Sequence, residues 1–205
     1  MEHEGPPIDG DAFCEAGKGG RLVELLVKLP RLRWAERDGY GVTLLHYACR
    51  GPNVAAVVAL LQSGLVDVNA WNLEGATPTL WAASCKQHRV LEMLCAVGAD
   101  LRARNEHGFS PIDGALYNAH EDGGGTVRVL VANGVRLSTV HEYYRHHITP
   151  ELEAFERGVL CCRAAVVAMM HVKWAGQLWM WDKFLLAEVA LCIWSTRNDL
   201  SLIHI

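Results

Sequence analysis

Three groupings in this chain have the residue types that do chemistry. His141, Glu142, His146 and His147 stand together ahead of Cys161-Cys162, a set of nitrogen, oxygen and sulfur donors of the kind that holds zinc. His46 stands near Cys49 in sequence, which invites a thiol activated by an imidazole. Asp122-Gly123-Gly124-Gly125 is glycine-rich, as loops that cradle phosphate are. Each fails on its pattern. His141 and His146 are five apart, not the four that put two imidazoles on one helix face, and adjacent cysteines point in different directions. The His46 and Cys49 pair has no third residue to orient it, and no Lys-Ser/Thr follows the glycines. The histidine run is therefore expected to be solvated linker and the glycine run a loop insertion. No enzyme, no cofactor and no metal are expected.

The composition bears this out for other ligand classes. With 19 basic and 23 acidic residues and a formal charge of -4, the chain lacks the positive field that captures phosphate backbones, so nucleic acid is not expected as a partner. Seven cysteines, odd in number and without a CxxC pair, fit buried free thiols in a reducing compartment. The first ten residues lack the basic flank and apolar core of a secretory signal. The apolar runs Ala164–Met170 and Phe184–Trp194 are too short to span a bilayer, and Glu188 interrupts the second. These features predict a soluble monomer of the cytoplasm, with the nucleus open, and no membrane contact.

Elements that could position side chains announce themselves by period. Gly41-Val42-Thr43, Gly75-Ala76-Thr77 and Gly108-Phe109-Ser110 recur at intervals of 34 and 33 residues. Such a period signals stacked units, each too small to bury its apolar face alone. Thr43, Thr77 and Ser110 suit helix N-caps, and Pro78 and Pro111 follow where a missing N–H does no harm. Ala48, Ala82 and Ala115 are small where helices must approach closely. Leu60/Leu61, Leu91/Leu94 and Val129/Leu130 supply a stripe for the second helix of each unit, which Gly64, Gly98 or Gly134 then ends.

Those residues, with Asp38-Gly39-Tyr40-Gly41-Val42-Thr43-Leu44-Leu45-His46-Tyr47-Ala48, the Val57-Val58-Ala59-Leu60-Leu61 helix and the Gly98-Ala99-Asp100 exit, resemble the ankyrin repeat. The resemblance implies an all-α solenoid of helix-turn-helix units with β-turn tips. Four units are expected over residues 8–138, at 8–37, 38–70, 71–103 and 104–138, the first a degenerate cap built from Ala12 to Leu26. It also implies that His46 is a framework residue bonding the turn backbone. Leu80 and Asp113 depart from that histidine in the next two units.

Residues 1–7 are expected to be disordered and 139–149 to be a linker. Thr149-Pro150-Glu151 then opens a helical hairpin over 150–199, its second helix capped by Asp182. That hairpin closes the last unit or offers a second docking surface through Trp174, Trp179, Trp181, Phe184, Leu185 and Trp194. Its pairing with the repeats weakly resembles viral ankyrin proteins that end in an F-box-like module. Residues 200–205, Leu-Ser-Leu-Ile-His-Ile, equal the translation of a common transposase sequencing adapter and read as an artefact.

The resemblance implies binding of a partner protein along a concave groove of turn tips and first helices. Carried over position by position, it selects Tyr40, Val42, Tyr47 and Arg50, then Trp71, Leu73, Glu74, Ala76, Trp81 and Ser84, then Arg104, Glu106, His107, Phe109 and Tyr117. The set is rich in the aromatic and arginine side chains that dominate interfaces. The expected function is protein–protein interaction; the alternatives are a substrate adaptor whose tail recruits a ubiquitin ligase and an enzyme on a repeat scaffold. On this reading Tyr47→Ala and Trp81→Ala weaken partner binding while leaving helical content and melting nearly intact.

Overall fold

The structure, a computed structural model, describes residues 10–18, 21–119 and 124–175. Eight helices form four successive pairs: α1 (Gly10–Lys18) with α2 (Leu22–Lys28), α3 (Leu44–Cys49) with α4 (Val54–Ser63), α5 (Pro78–Ser84) with α6 (His88–Ala96), and α7 (Pro111–Tyr117) with α8 (Gly125–Ala132). The first helices stack α1 on α3 on α5 on α7, and the second helices stack α2 on α4 on α6 on α8. Two layers result, and the core lies between them. Leu45, Leu60, Leu91, Leu94, Ile112 and Leu130 are fully buried there, each contributing roughly 1.5–3 kcal/mol of apolar transfer. Ala48, Ala82 and Ala115 are buried where the first helices meet.

The turns ahead of α3, α5 and α7 are built alike. The Oδ1 atoms of Asp38, Asn72 and Asn105 each accept two backbone amides, two and four residues on, at 2.8–3.1 Å. Such side-chain caps hold a tight turn without a strand. The glycine closing each turn has positive φ: 71° at Gly41 and 70° at Gly75. There the next tip comes close, since a Cβ on Gly41 would lie 3.2 Å from the Leu73 amide nitrogen. The tips are tied by Leu73 N–H to the Tyr40 carbonyl and Glu106 N–H to the Glu74 carbonyl, both at 3.0 Å.

A buried polar residue three positions after the cap makes a second tie. In α3, His46 Nδ1 accepts the Thr43 amide at 3.2 Å, and Nε2 donates to the Ala76 carbonyl of the next tip at 3.0 Å. A carbonyl only accepts, so Nε2 carries the proton. In α7 the same place holds Asp113, whose Oδ2 accepts the Ser110 amide at 2.7 Å and hydroxyl at 2.6 Å. Its Oδ1 accepts the His141 amide at 2.6 Å. The departure from histidine thus keeps the tie and reverses the hydrogen-bond direction to the following segment. Leu80 in α5 makes no such side-chain tie, and only the Thr77 hydroxyl accepts its amide, at 3.3 Å.

The stretch 139–149, expected to be a solvated linker, is instead largely ordered. Leu137–Thr139 and Glu142–His147 form 3₁₀ turns, and the second packs on α7. Phe109 stands edge-on to His141 at 5.1 Å and to Tyr144 at 5.2 Å between ring centroids, and Tyr117 meets Tyr144 at 6.3 Å. Aromatic edges and the Asp113 tie order a segment whose sequence has no repeat pattern. This compact unit ends at His147, and a second begins at Ile148. In that second unit α9 (Pro150–Ala175) starts as expected, with Thr149 Oγ1 accepting the Leu152 amide at 3.4 Å and Glu151 and Glu153 in its first turn. The second hairpin helix, residues 1–7 and residues 200–205 lie outside the described residues.

Burial holds the His46 imidazole down at about 4 from its ordinary 6.5, against the raising influence of the Ala76 carbonyl. The unfolded ring takes a proton first as pH falls, so the stability His46 contributes is complete above about pH 6.5 and is lost as pH drops toward 4. The melting temperature is therefore expected to fall between those limits. His46→Leu, which borrows the residue of the third unit, removes the histidine's share of the fall. At pH 7 it costs about 1–3 kcal/mol, because the Thr43 amide and Ala76 carbonyl lose their partner. Thermal denaturation of both chains across pH checks this.

Candidate partner-binding groove

The repeat register places one residue per unit at each position of the inner face. Tyr47, Trp81 and Gly114 share one position, Arg50, Ser84 and Tyr117 another, and Tyr40, Glu74 and His107 a third on the tips. Two rings followed by a glycine leave room beside α7. A cleft of about 370 Å³ opens there, lined among others by Glu74, Trp81, Ser84, Gly114, Tyr117 and Tyr144. Gly114 lets α7 approach α5 closely, since a Cβ on it would lie 2.3 Å from Ser84 Oγ. A second cleft of about 490 Å³ adjoins the first across Arg50, Glu74 and Trp81, and is lined also by Asp11, Asp38, Tyr40 and Leu73.

Of the residues singled out from the sequence, Tyr40 is 74% exposed, Leu73 67% and Tyr117 64%, and Trp71, Glu74, Arg104, Glu106 and His107 are exposed too. Arg50, Trp81, Ser84 and Phe109 are half-buried. Arg50 lies with its guanidinium carbon 5.6 Å from the Trp81 ring centroid, and its Nη1 donates to Cys14 Sγ at 3.3 Å. Arg104 is exposed yet already committed, donating to the Gly108 carbonyl and, at 2.7 Å, to the Thr139 carbonyl. Arg37 acts in the same way at the tip ahead of α3, donating to the Gly41 and Trp71 carbonyls.

Three positions are more buried than an exposed groove residue: Tyr47 is only 4% exposed, Val42 5% and Ala76 4%, although Tyr47 and Val42 still line the larger cleft and Ala76 the smaller. The Tyr47 ring packs against Phe13 of the first unit and Trp81 of the third, with centroids 6.3 and 6.1 Å away, and its hydroxyl donates to Asp38. Burial, with that hydrogen bond, pushes the phenol well above its ordinary value. Asp11, Gly114 and Tyr144 line the clefts without having been selected. Gly114 was legible as the residue one period after Trp81; Tyr144 falls in the segment without a pattern.

The pairing of His46 with Cys49 does not form a nucleophile. Both imidazole nitrogens are occupied by the Thr43 cap and the Ala76 carbonyl, and burial pushes the Cys49 thiol far up. Among the described residues no three His, Cys, Asp or Glu side chains gather as a metal site. None of the described helices is long and apolar enough to cross a membrane.

Because Tyr47 belongs to the core, Tyr47→Ala is expected to cost about 3–5 kcal/mol, whereas Trp81→Ala, at a half-buried site, costs less. Urea denaturation of the two variants separates them, and a Tyr47→Ala loss under about 1 kcal/mol would return Tyr47 to the surface.

A family model described as "Ankyrin repeats (3 copies)" matches residues 13–105. Among curated relatives, the probable palmitoyltransferase AKR2 of Saccharomyces uvarum is 30% identical over 89 residues, 41% of this chain and 12% of that protein. The E3 ubiquitin-protein ligase KEG of Arabidopsis thaliana is 28% identical over 100 residues, 49% of this chain and 6% of that protein. The tyrosine-protein kinase HTK16 of Hydra vulgaris is 31% identical over 98 residues, 46% of this chain and 12% of that protein. The chain thus spans 12% or less of the length of these relatives, whose named activities are those of the whole proteins. The match ends at residue 105, while the same turn, cap and helix pair continue through α8. Residues 13–105 of this chain are ankyrin repeats.

Proposed function

We propose that the chain binds another protein along the inner face of α3, α5 and α7 and their tips. The observation that carries this reading is the pair of adjoining clefts, walled by Trp81, Tyr117, Tyr144 and Phe109 and rimmed by exposed Tyr40 and Leu73. Aromatic side chains in half-open pockets are the usual centres of binding energy between proteins. The scaffold beneath them is fixed by the tip ladder and the buried caps, so little ordering cost falls on the chain when a partner arrives. Ankyrin repeats generally mediate protein–protein interaction, which supports the same reading.

Affinity capture with mass spectrometry tests it, using the full chain, Trp81→Ala, Tyr117→Ala and, on the opposite layer, Val27→Ser. Val27 is 80% exposed on α2. The groove variants are expected to lose the partner, each by about thirtyfold in affinity for a central contact of 2 kcal/mol. Val27→Ser should retain it. Loss with Val27→Ser alone would move the interface to the second helices.

A further inference from the structure

The two clefts differ in charge. Asp11, Asp38 and Glu74 line the larger one, with Arg50 as the single cationic side chain among its lining residues. Arg50 is held over Trp81 and against Cys14. Asp38 is committed inward: Oδ1 accepts the Tyr40 and Val42 amides, and Oδ2 accepts the Tyr47 hydroxyl. Asp11 and Glu74 are exposed, so their carboxylates face the open side. In the smaller cleft Glu74 and Arg50 balance, and the walls are the rings of Trp81, Phe109, Tyr117 and Tyr144. One cleft is acidic and the other aromatic. They share Trp81, so one short segment can reach both.

We infer that the groove's occupant is a partner segment carrying a lysine or arginine beside a large apolar side chain. This rests on the reading that the groove binds a protein. The cation takes the acidic cleft, with Asp11 and Glu74 as counter-charges and the exposed Tyr40 ring as a π-face. The apolar side chain takes the aromatic cleft, where no uncompensated charge opposes its burial. An acidic segment is rejected, because a carboxylate in the larger cleft would meet those of Asp11 and Glu74.

The test is selection of a random peptide library displayed on phage against the full chain. Enriched peptides are then titrated by fluorescence anisotropy into that chain, into Tyr117→Ala, and into a chain with both Asp11→Lys and Glu74→Lys. All three positions are exposed, and circular dichroism verifies that each variant is folded. Enriched peptides are expected to pair Lys or Arg with Trp, Phe or Leu, and to bind the charge-reversed chain at least about tenfold more weakly. Peptides weakened by Tyr117→Ala but indifferent to charge reversal, or peptides rich in Asp and Glu, would overturn this inference and leave the groove reading standing. Peptides bound equally by all three chains would overturn both.

Discussion

The second and fourth units of this chain lean on the segment that follows through a buried polar side chain three residues after a helix cap. His46 joins the Thr43 cap to the Ala76 carbonyl, and Asp113 joins the Ser110 cap to the His141 amide. A pair of helices of six and ten residues, as in the second unit, has too little apolar face to stand alone. The polar tie therefore does more than satisfy a buried group. At His46 it sets the position of the next tip, and the tip-to-tip amide bonds carry the register on past α5, which has no such tie. Histidine donates to a carbonyl and aspartate accepts from an amide, so the tie survives a change of chemistry because the neighbouring backbone offers the complementary group.

That register explains the groove. Once the tips are locked at one spacing, side chains one period apart fall in rows along the inner face. The row Tyr47, Trp81, Gly114 runs from buried ring to half-buried ring to no ring at all. The aromatic cleft is the space this last step leaves, and Phe109, Tyr117 and Tyr144 wall it from the side of α7 and the 3₁₀ turn. The arginines serve the scaffold more than the surface. Arg37 and Arg104 clamp carbonyls across successive tips, which leaves the acidic side chains Asp11 and Glu74 to set the charge of the exposed groove.

The periodic region was readable because caps and glycines act through local backbone conformation, which sequence spacing records directly. Thr43, Thr77 and Ser110 do begin α3, α5 and α7. The turn residues Asp38, Asn72 and Asn105 carry the same 34 and 33 spacing and were open to the same argument. The burial of Tyr47 was hidden for a different reason. The residue faces the inner side, as its register says, but Phe13, Asp38 and Trp81 close over it, and burial by side chains from three units has no local signature. The ordering of His141 to His147 was hidden likewise, since it depends on Asp113 and Phe109 some thirty residues earlier.

The central claim is that a protein partner seats on the inner face. Amide hydrogen exchange of the full chain, with and without a captured partner, tests it most directly. Slowed exchange concentrated in residues 40–50, 73–84 and 106–117, with α4, α6 and α8 unchanged, is the predicted result. Slowing confined to those second helices would contradict the account.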